Sequence, residues 1–136
     1  MQRRAGGKSS MRKVLVVDDE PNFVTLLSAR LRANGYEVVA AQDGKEALAK
    51  IRGERPDVVL LDIMLPKMDG LKVLREIRRD DKRLPVFMIT AYASPQRFSQ
   101  AKRMDASGFL VKTKDLDQWI RNITASLHLA SSFGRR

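Results

Sequence analysis

Three acids, Asp18, Asp19 and Glu20, directly follow the apolar run VLVV (14–17). A fourth, Asp62, closes DVVLLD (57–62), Thr90 closes PVFMIT (85–90), and Lys112 stands one residue past GFLV (108–111). Apolar runs seek burial and charges seek water, so a charge at the end of such a run calls for a reason. Carboxylates brought close together repel, and they either stay partly protonated or hold a cation. A set made only of oxygen ligands suits Mg²⁺, with Mn²⁺ as a substitute. A carboxylate can also act as a nucleophile toward phosphorus and form an acyl phosphate. Such a transfer needs charge neutralisation above all, which a metal supplies on one side and the Lys112 ammonium on the other. The Thr90 hydroxyl can hydrogen-bond a phosphoryl oxygen. With one histidine (His128) and no cysteine, thiolate and histidine-cluster metal sites, disulfides and a cysteine nucleophile are excluded.

Whether these residues meet depends on the elements that carry them. Short apolar runs alternate with helical patterns along the chain. VLVV reads as the first strand; Phe23, Leu27 and Leu31 share one face of a helix over 21–34, which Asn34-Gly35 ends. YEVVAA (36–41) is a second strand, and Asp43 with Glu46 forms a capping-box pattern ahead of Ala47, Leu48 and Ile51. DVVLLD is a third strand, apolar without alternation, as expected when both faces are covered. A helix follows over 70–79, then PVFMIT, then a helix opened by Ser94-Pro95, then GFLV. Leu116, Trp119, Ile120, Ile123 and Leu127 stripe a last helix. This is a (βα)5 pattern, hence a five-stranded parallel sheet with helices on both faces, doubly wound.

In the flavodoxin-like strand order 2-1-3-4-5, the first and third strands are neighbours, and the ligand crevice lies at the carboxyl ends of the strands. Asp18, Asp19 and Asp62 then converge, with Thr90 and Lys112 at the same edge. Asp19 also fits the role of a cap for the first helix, whose first turn holds Pro21. Asp62 has no helix start behind it, and an unpaired buried carboxylate is costly. Thr90 and Lys112 are common residue types, and their weight comes from landing beside the acids.

Four segments, VLVVDDEP, DVVLLDIMLPKMDG, PVFMITAY and SGFLVK, stand in the order and at the spacing of one family. Through them the sequence resembles the receiver domain of two-component response regulators, over about residues 12–130. The resemblance implies Asp62 as phosphoacceptor. It implies Mg²⁺ ligated by Asp19, Asp62 and the main-chain carbonyl of Met64, with Asp18 acting mainly through water. It assigns Thr90 and Lys112 to the phosphoryl group and Phe109 to the switch aromatic, although Phe109 also reads as an ordinary strand residue. Met64 and Tyr92, two residues beyond Asp62 and Thr90, would border the path of the hydrolytic water and tune the lifetime. The implied donor is a phosphohistidine on a sensor histidine kinase or a phosphotransfer protein. The implied output is a downstream protein bound through the fourth helix, fifth strand and fifth helix. One position departs from the family: Thr113 follows Lys112 where proline with a cis bond is usual, and a cis bond before a non-proline residue costs about 2.5–4 kcal/mol. The Lys112–Thr113 bond is therefore expected to be trans.

The remaining expectations come from composition. The net charge is +10, but Arg3, Arg4, Lys8, Arg12, Lys13, Arg135 and Arg136 lie near the ends; the other 19 basic residues face 16 acids. More than half of the excess thus lies within residues 1–13 and at the last two positions; basic tails at 1–11 and 131–136 are expected to be disordered around a receiver at 12–130, and nucleic acid is not an expected partner. No apolar run is long enough to span a membrane and no signal-peptide core opens the chain, so a cytoplasmic protein is expected. No helix-turn-helix or catalytic segment follows residue 130, which suggests a stand-alone switch that catalyses only its own phosphorylation and dephosphorylation. Two other classes compete. An aspartate-based phosphatase normally carries a second acid where Met64 stands, and a pseudo-receiver would lack the intact acidic site.

Overall fold

A computed structural model describes residues 13–113 and 115–133. Five strands, β1 (Lys13–Val17), β2 (Glu37–Ala41), β3 (Val58–Asp62), β4 (Val86–Thr90) and β5 (Gly108–Val111), alternate with five helices. These are α1 (Pro21–Ala33), α2 (Gly44–Glu54), α3 (Gly70–Asp80), α4 (Pro95–Arg103) and α5 (Leu116–Phe133). The strands form one parallel sheet in the order β2-β1-β3-β4-β5, the expected doubly wound topology.

Each strand divides its side chains between two cores, because successive residues point to opposite faces. Leu15, Val17, Val59, Leu61, Val86 and Met88 pack with α2, α3 and α4 through Ala47, Leu71, Val73, Leu74, Ile77 and Ala101. Val14, Val16, Val58, Leu60, Phe87 and Ile89 pack with α1 and α5 through Leu27, Leu31, Trp119, Ile120, Ile123 and Leu127. Burial on both faces explains why β3 is apolar from Val58 to Leu61.

The caps follow the expected chemistry with two differences. Asp43 Oδ1 accepts the Glu46 N–H at 2.9 Å, while Glu46 Oε1 reaches the N–H of Gln42 rather than that of Asp43. Ser94 Oγ accepts the Arg97 N–H ahead of α4. Gly35, at φ +92°, supplies the left-handed turn after α1. The residue at the N-cap of α1 is Glu20, which makes no side-chain cap bond; Asp19 is exposed and is not the cap.

At the chain ends, the tail expected at 1–11 lies outside the described residues. Of the tail expected from residue 131, residues 131–133 belong to α5, which continues to Phe133. Ser131, Ser132 and Phe133 are tolerable helix residues, and the first strong helix-breaker after the apolar stripe is Gly134. Residues 134–136 lie outside the described residues.

Candidate functional site

Register assembles the site. Val17 pairs with Leu61, so the residues one step further, Asp18 and Asp62, end neighbouring strands at the same level. Asp62 pairs with Ile89, which brings Thr90 one residue beyond it, and Thr90 pairs with Val111, whose successor is Lys112. The Lys112 N–H extends the β4–β5 pairing by donating to the Thr90 carbonyl at 2.7 Å. Behind Asp62 the chain turns back sharply. The Gly70 N–H donates to the Ile63 carbonyl at 2.8 Å. A methyl group on Gly70 would stand 2.2 Å from the Asp62 carbonyl oxygen, so only glycine lets α3 begin against the end of β3.

The three predicted acids meet: Asp18, Asp19 and Asp62 each present an oxygen within 4.8 Å of the others. Their surroundings differ. Asp18 is 1% exposed and Asp62 5% exposed, whereas Asp19 faces solvent. Asp18 Oδ1 accepts the Glu20 N–H at 3.0 Å, and Asp62 Oδ1 accepts the Met64 N–H at 2.9 Å. In both cases one carboxylate oxygen closes a local turn and the other is left for the site. Lys112 takes the free oxygens: its Nζ lies 2.6 Å from Asp18 Oδ2, 3.3 Å from Glu20 Oε1 and 3.4 Å from Asp62 Oδ2.

Electrostatics follow from this ranking. Burial pushes the Asp62 carboxyl up to about 6; the Met64 N–H works against that, the Asp18 charge adds to it, and Lys112 offsets it in part. Burial by itself would lower the Lys112 ammonium, but the hydrogen bond and charge of Asp18, with help from Asp62 and Glu20, hold it above its ordinary value. The lysine thus serves Asp18 first and leaves Asp62 underneutralised. A set of three close carboxylate oxygens with one cation's worth of compensation fits a further hard cation.

The other predicted residues fall as follows. Thr90 is fully buried; its Oγ1 accepts the Tyr92 N–H at 3.1 Å and donates to the Tyr92 carbonyl at 3.4 Å. Met64 is 49% exposed and Tyr92 70% exposed. Phe109 is half-buried, packs against the α2–α3–α4 core, and meets Phe98 of α4 edge-on with ring centroids 5.5 Å apart. Sequence reasoning missed two participants. Glu20 reaches Lys112, and the Phe23 ring lies under the Lys112 ammonium at 4.2 Å. The run of three acids hinted at Glu20; Phe23 read only as core.

The profile of the response regulator receiver domain matches residues 14–124. The chain belongs to the response regulator receiver domain family. Among solved structures, a CheY-like receiver domain protein from Methanospirillum hungatei JF-1 superposes with TM-score 0.81 at 27% identity, covering 91% of this chain and 99% of that one. TrrA from Thermotoga maritima, solved in complex with Mg²⁺-BeF, gives TM-score 0.75 at 35% identity over 85% of this chain and 99% of that one. The transcriptional regulatory protein PhoP of alkaline phosphatase synthesis, from Bacillus subtilis (strain 168), is 49% identical over 80 residues, 59% of this chain and 33% of that protein. This receiver spans between about a quarter and a half of the length of the curated relatives it matches. As a receiver domain of a two-component response regulator, it belongs to phosphorylation-based signalling.

The receiver departs from its family's pattern at Thr113 without losing the lysine. No peptide bond among the described residues is cis, so Lys112–Thr113 is trans, and Lys112 still reaches the acids. Thr113 Oγ1 donates to the Asp115 carbonyl at 3.0 Å, and Asp115 Oδ1 accepts the Gln118 N–H in the first turn of α5. No helix among the described residues is long and apolar enough to cross a membrane.

Proposed function

We propose that this receiver accepts a phosphoryl group on Asp62 from a phosphohistidine, carried by a sensor histidine kinase or a phosphotransfer protein, and holds it as a signal. The observation that carries this reading is the pairing of a buried carboxylate with an ammonium: Asp62 Oδ2 lies 3.4 Å from Lys112 Nζ, with Asp18 and Asp19 alongside. Asp62 is the nucleophile, and its Oδ2 is the oxygen not committed to the Met64 turn. Its oxygen attacks phosphorus as the bond to the donor histidine nitrogen breaks, and the electron pair of that bond leaves with the imidazole. Lys112 then turns an N–H toward the phosphoryl group, and the Thr90 hydroxyl exchanges the Tyr92 carbonyl for a phosphoryl oxygen. Asp19 and Asp62, with the main-chain carbonyl of Met64, would hold Mg²⁺ or Mn²⁺, with Asp18 acting mainly through water. Held there, the cation would supply charge neutralisation between carboxylate and phosphate. TrrA's structure with Mg²⁺-BeF supports this assignment by likeness.

The receiver itself is a switch that catalyses only its own phosphorylation and dephosphorylation. Movement of Thr90 toward the phosphoryl group leaves space that Phe109 fills, and the α4–β5–α5 face changes for a partner. A population shift requires that the two states interact differently with the group, and the Thr90 exchange supplies that difference. The relatives named as transcriptional regulators support an output in transcription, delivered by a DNA-binding partner or domain. The test is labelling with acetyl phosphate and Mg²⁺, read by intact mass. One phosphoryl group is expected on the parent and none on Asp62→Asn, since an amide is not a nucleophile. Undiminished labelling of Asp62→Asn would reject the site.

A further inference from the structure

We propose that Phe23 is a positioning residue for Lys112, an aromatic bracket that holds the lysine at the phosphoryl site in place of a proline-fixed loop; this rests on the function proposed above. The loop after β5 runs through a trans Lys112–Thr113 bond, so no ring sets the direction of the lysine side chain. That side chain is nevertheless 12% exposed and points into the acidic cluster. Its ammonium sits 4.2 Å from the centroid of the Phe23 ring, within the range of a cation–π attraction. The ring is itself braced. Trp119 of α5 packs on it with centroids 5.0 Å apart at 58°, and Trp119 is 1% exposed. Trp119 Nε1 has no hydrogen-bond partner among the described residues, so at this position the indole contributes its ring surface.

The chemistry needs such a support. Lys112 now leans on Asp18, Glu20 and Asp62. A cation in the acidic cluster would draw on Asp62 directly and on Asp18 through water, and phosphorylation changes Asp62 altogether. Glu20 is largely exposed, with 67% of its side chain in solvent, and holds weakly. The half-buried Phe23 ring alone among these contacts carries no charge for a cation or phosphoryl group to engage, and it makes no claim on a particular N–H. It attracts the ammonium through its face and leaves the three N–H groups for oxygen atoms.

Three readouts test this. The Lys112 ε-methylene protons, observed by carbon–proton NMR, should carry an upfield ring-current shift in the parent and in Phe23→Tyr, and lose it in Phe23→Leu. Labelling by acetyl phosphate should fall by about 2- to 30-fold in Phe23→Leu, the range of a cation–π contact, and stay at the parental rate in Phe23→Tyr. On a Lys112→Met background, Phe23→Leu should slow labelling no further. The proposal is overturned if the parent methylene shows no ring-current shift, if Phe23→Leu labels at the parental rate, or if it slows both backgrounds equally, which is what a merely structural role predicts. A parent that shows the shift but never labels rejects the proposed function and leaves the bracket standing. The parent spectrum decides the geometry even if Phe23→Leu does not fold.

Discussion

Replacing Asp62 by asparagine should stabilise the receiver when no divalent cation is present. Asp62 is 5% exposed, and burial raises its carboxyl from an ordinary 3.8 to about 6. A folded state that binds the proton more tightly than the unfolded chain is favoured by protonation and penalised by its loss. The penalty is absent below about 3.8, grows as pH rises toward about 6, and is complete above that. A rise of roughly two units is worth about 3 kcal/mol at neutral pH. Asparagine keeps an oxygen for the Met64 N–H and removes the charge. The expected gap between variant and parent therefore opens from near zero at about pH 4 to about 3 kcal/mol at about pH 7.5. Saturation with Mg²⁺ at about a hundred times its dissociation constant adds about 2.7 kcal/mol to the parent and closes most of the gap. Urea unfolding followed by fluorescence of the buried Trp119 measures both effects. A parent more stable than Asp62→Asn at neutral pH without metal would refute the reasoning, as would a gap that does not change between the two pH values.

Three other outcomes are expected. Gly70→Ala should destabilise the fold by about 1–3 kcal/mol and slow phosphorylation, because the added methyl strikes the Asp62 main chain; a variant with the parent's unfolding midpoint and labelling rate would contradict this. Self-dephosphorylation should be slow and should accelerate in Met64→Asn, whose amide can hold a water, and in Tyr92→Ala, which opens the path; decay at the parental rate in both, timed in Mg²⁺ by intact mass, would place control of the lifetime elsewhere. Thr113→Pro should lower stability and alter the labelling rate, because the present trans bond and the Thr113 Oγ1 bond to Asp115 set the loop; an unchanged melting temperature and rate would show that the loop tolerates either geometry.

The elements were legible because each leaves a local mark. Short apolar runs mark the strands, the stripe at spacing three and four marks the helices, and Asp43, Ser94 and Gly35 mark their ends. Alternation of the two element types implied a parallel sheet, and the rule for such sheets sent Asp18, Asp62, Thr90 and Lys112 to one edge. Chemistry at that edge was readable because it depends on residue type and on which strand end carries it. What the sequence could not assign is how neighbours in the chain divide their labour. Asp18 and Asp19 look alike in VLVVDDEP, yet the first is buried against Lys112 and the second is exposed. The pleat and the β1–β3 register decide that. Phe23 belongs to the apolar stripe of α1 by its spacing, and only the packing of α1 beside α5 brings its ring under Lys112 and against Trp119. The demand for glycine at position 70 is likewise set by the Asp62 carbonyl. Spacing along the chain determines local structure because helix and strand repeat over a few residues. Contacts between distant residues are chosen by register and close packing, which exist only once the sheet and both helical layers have assembled.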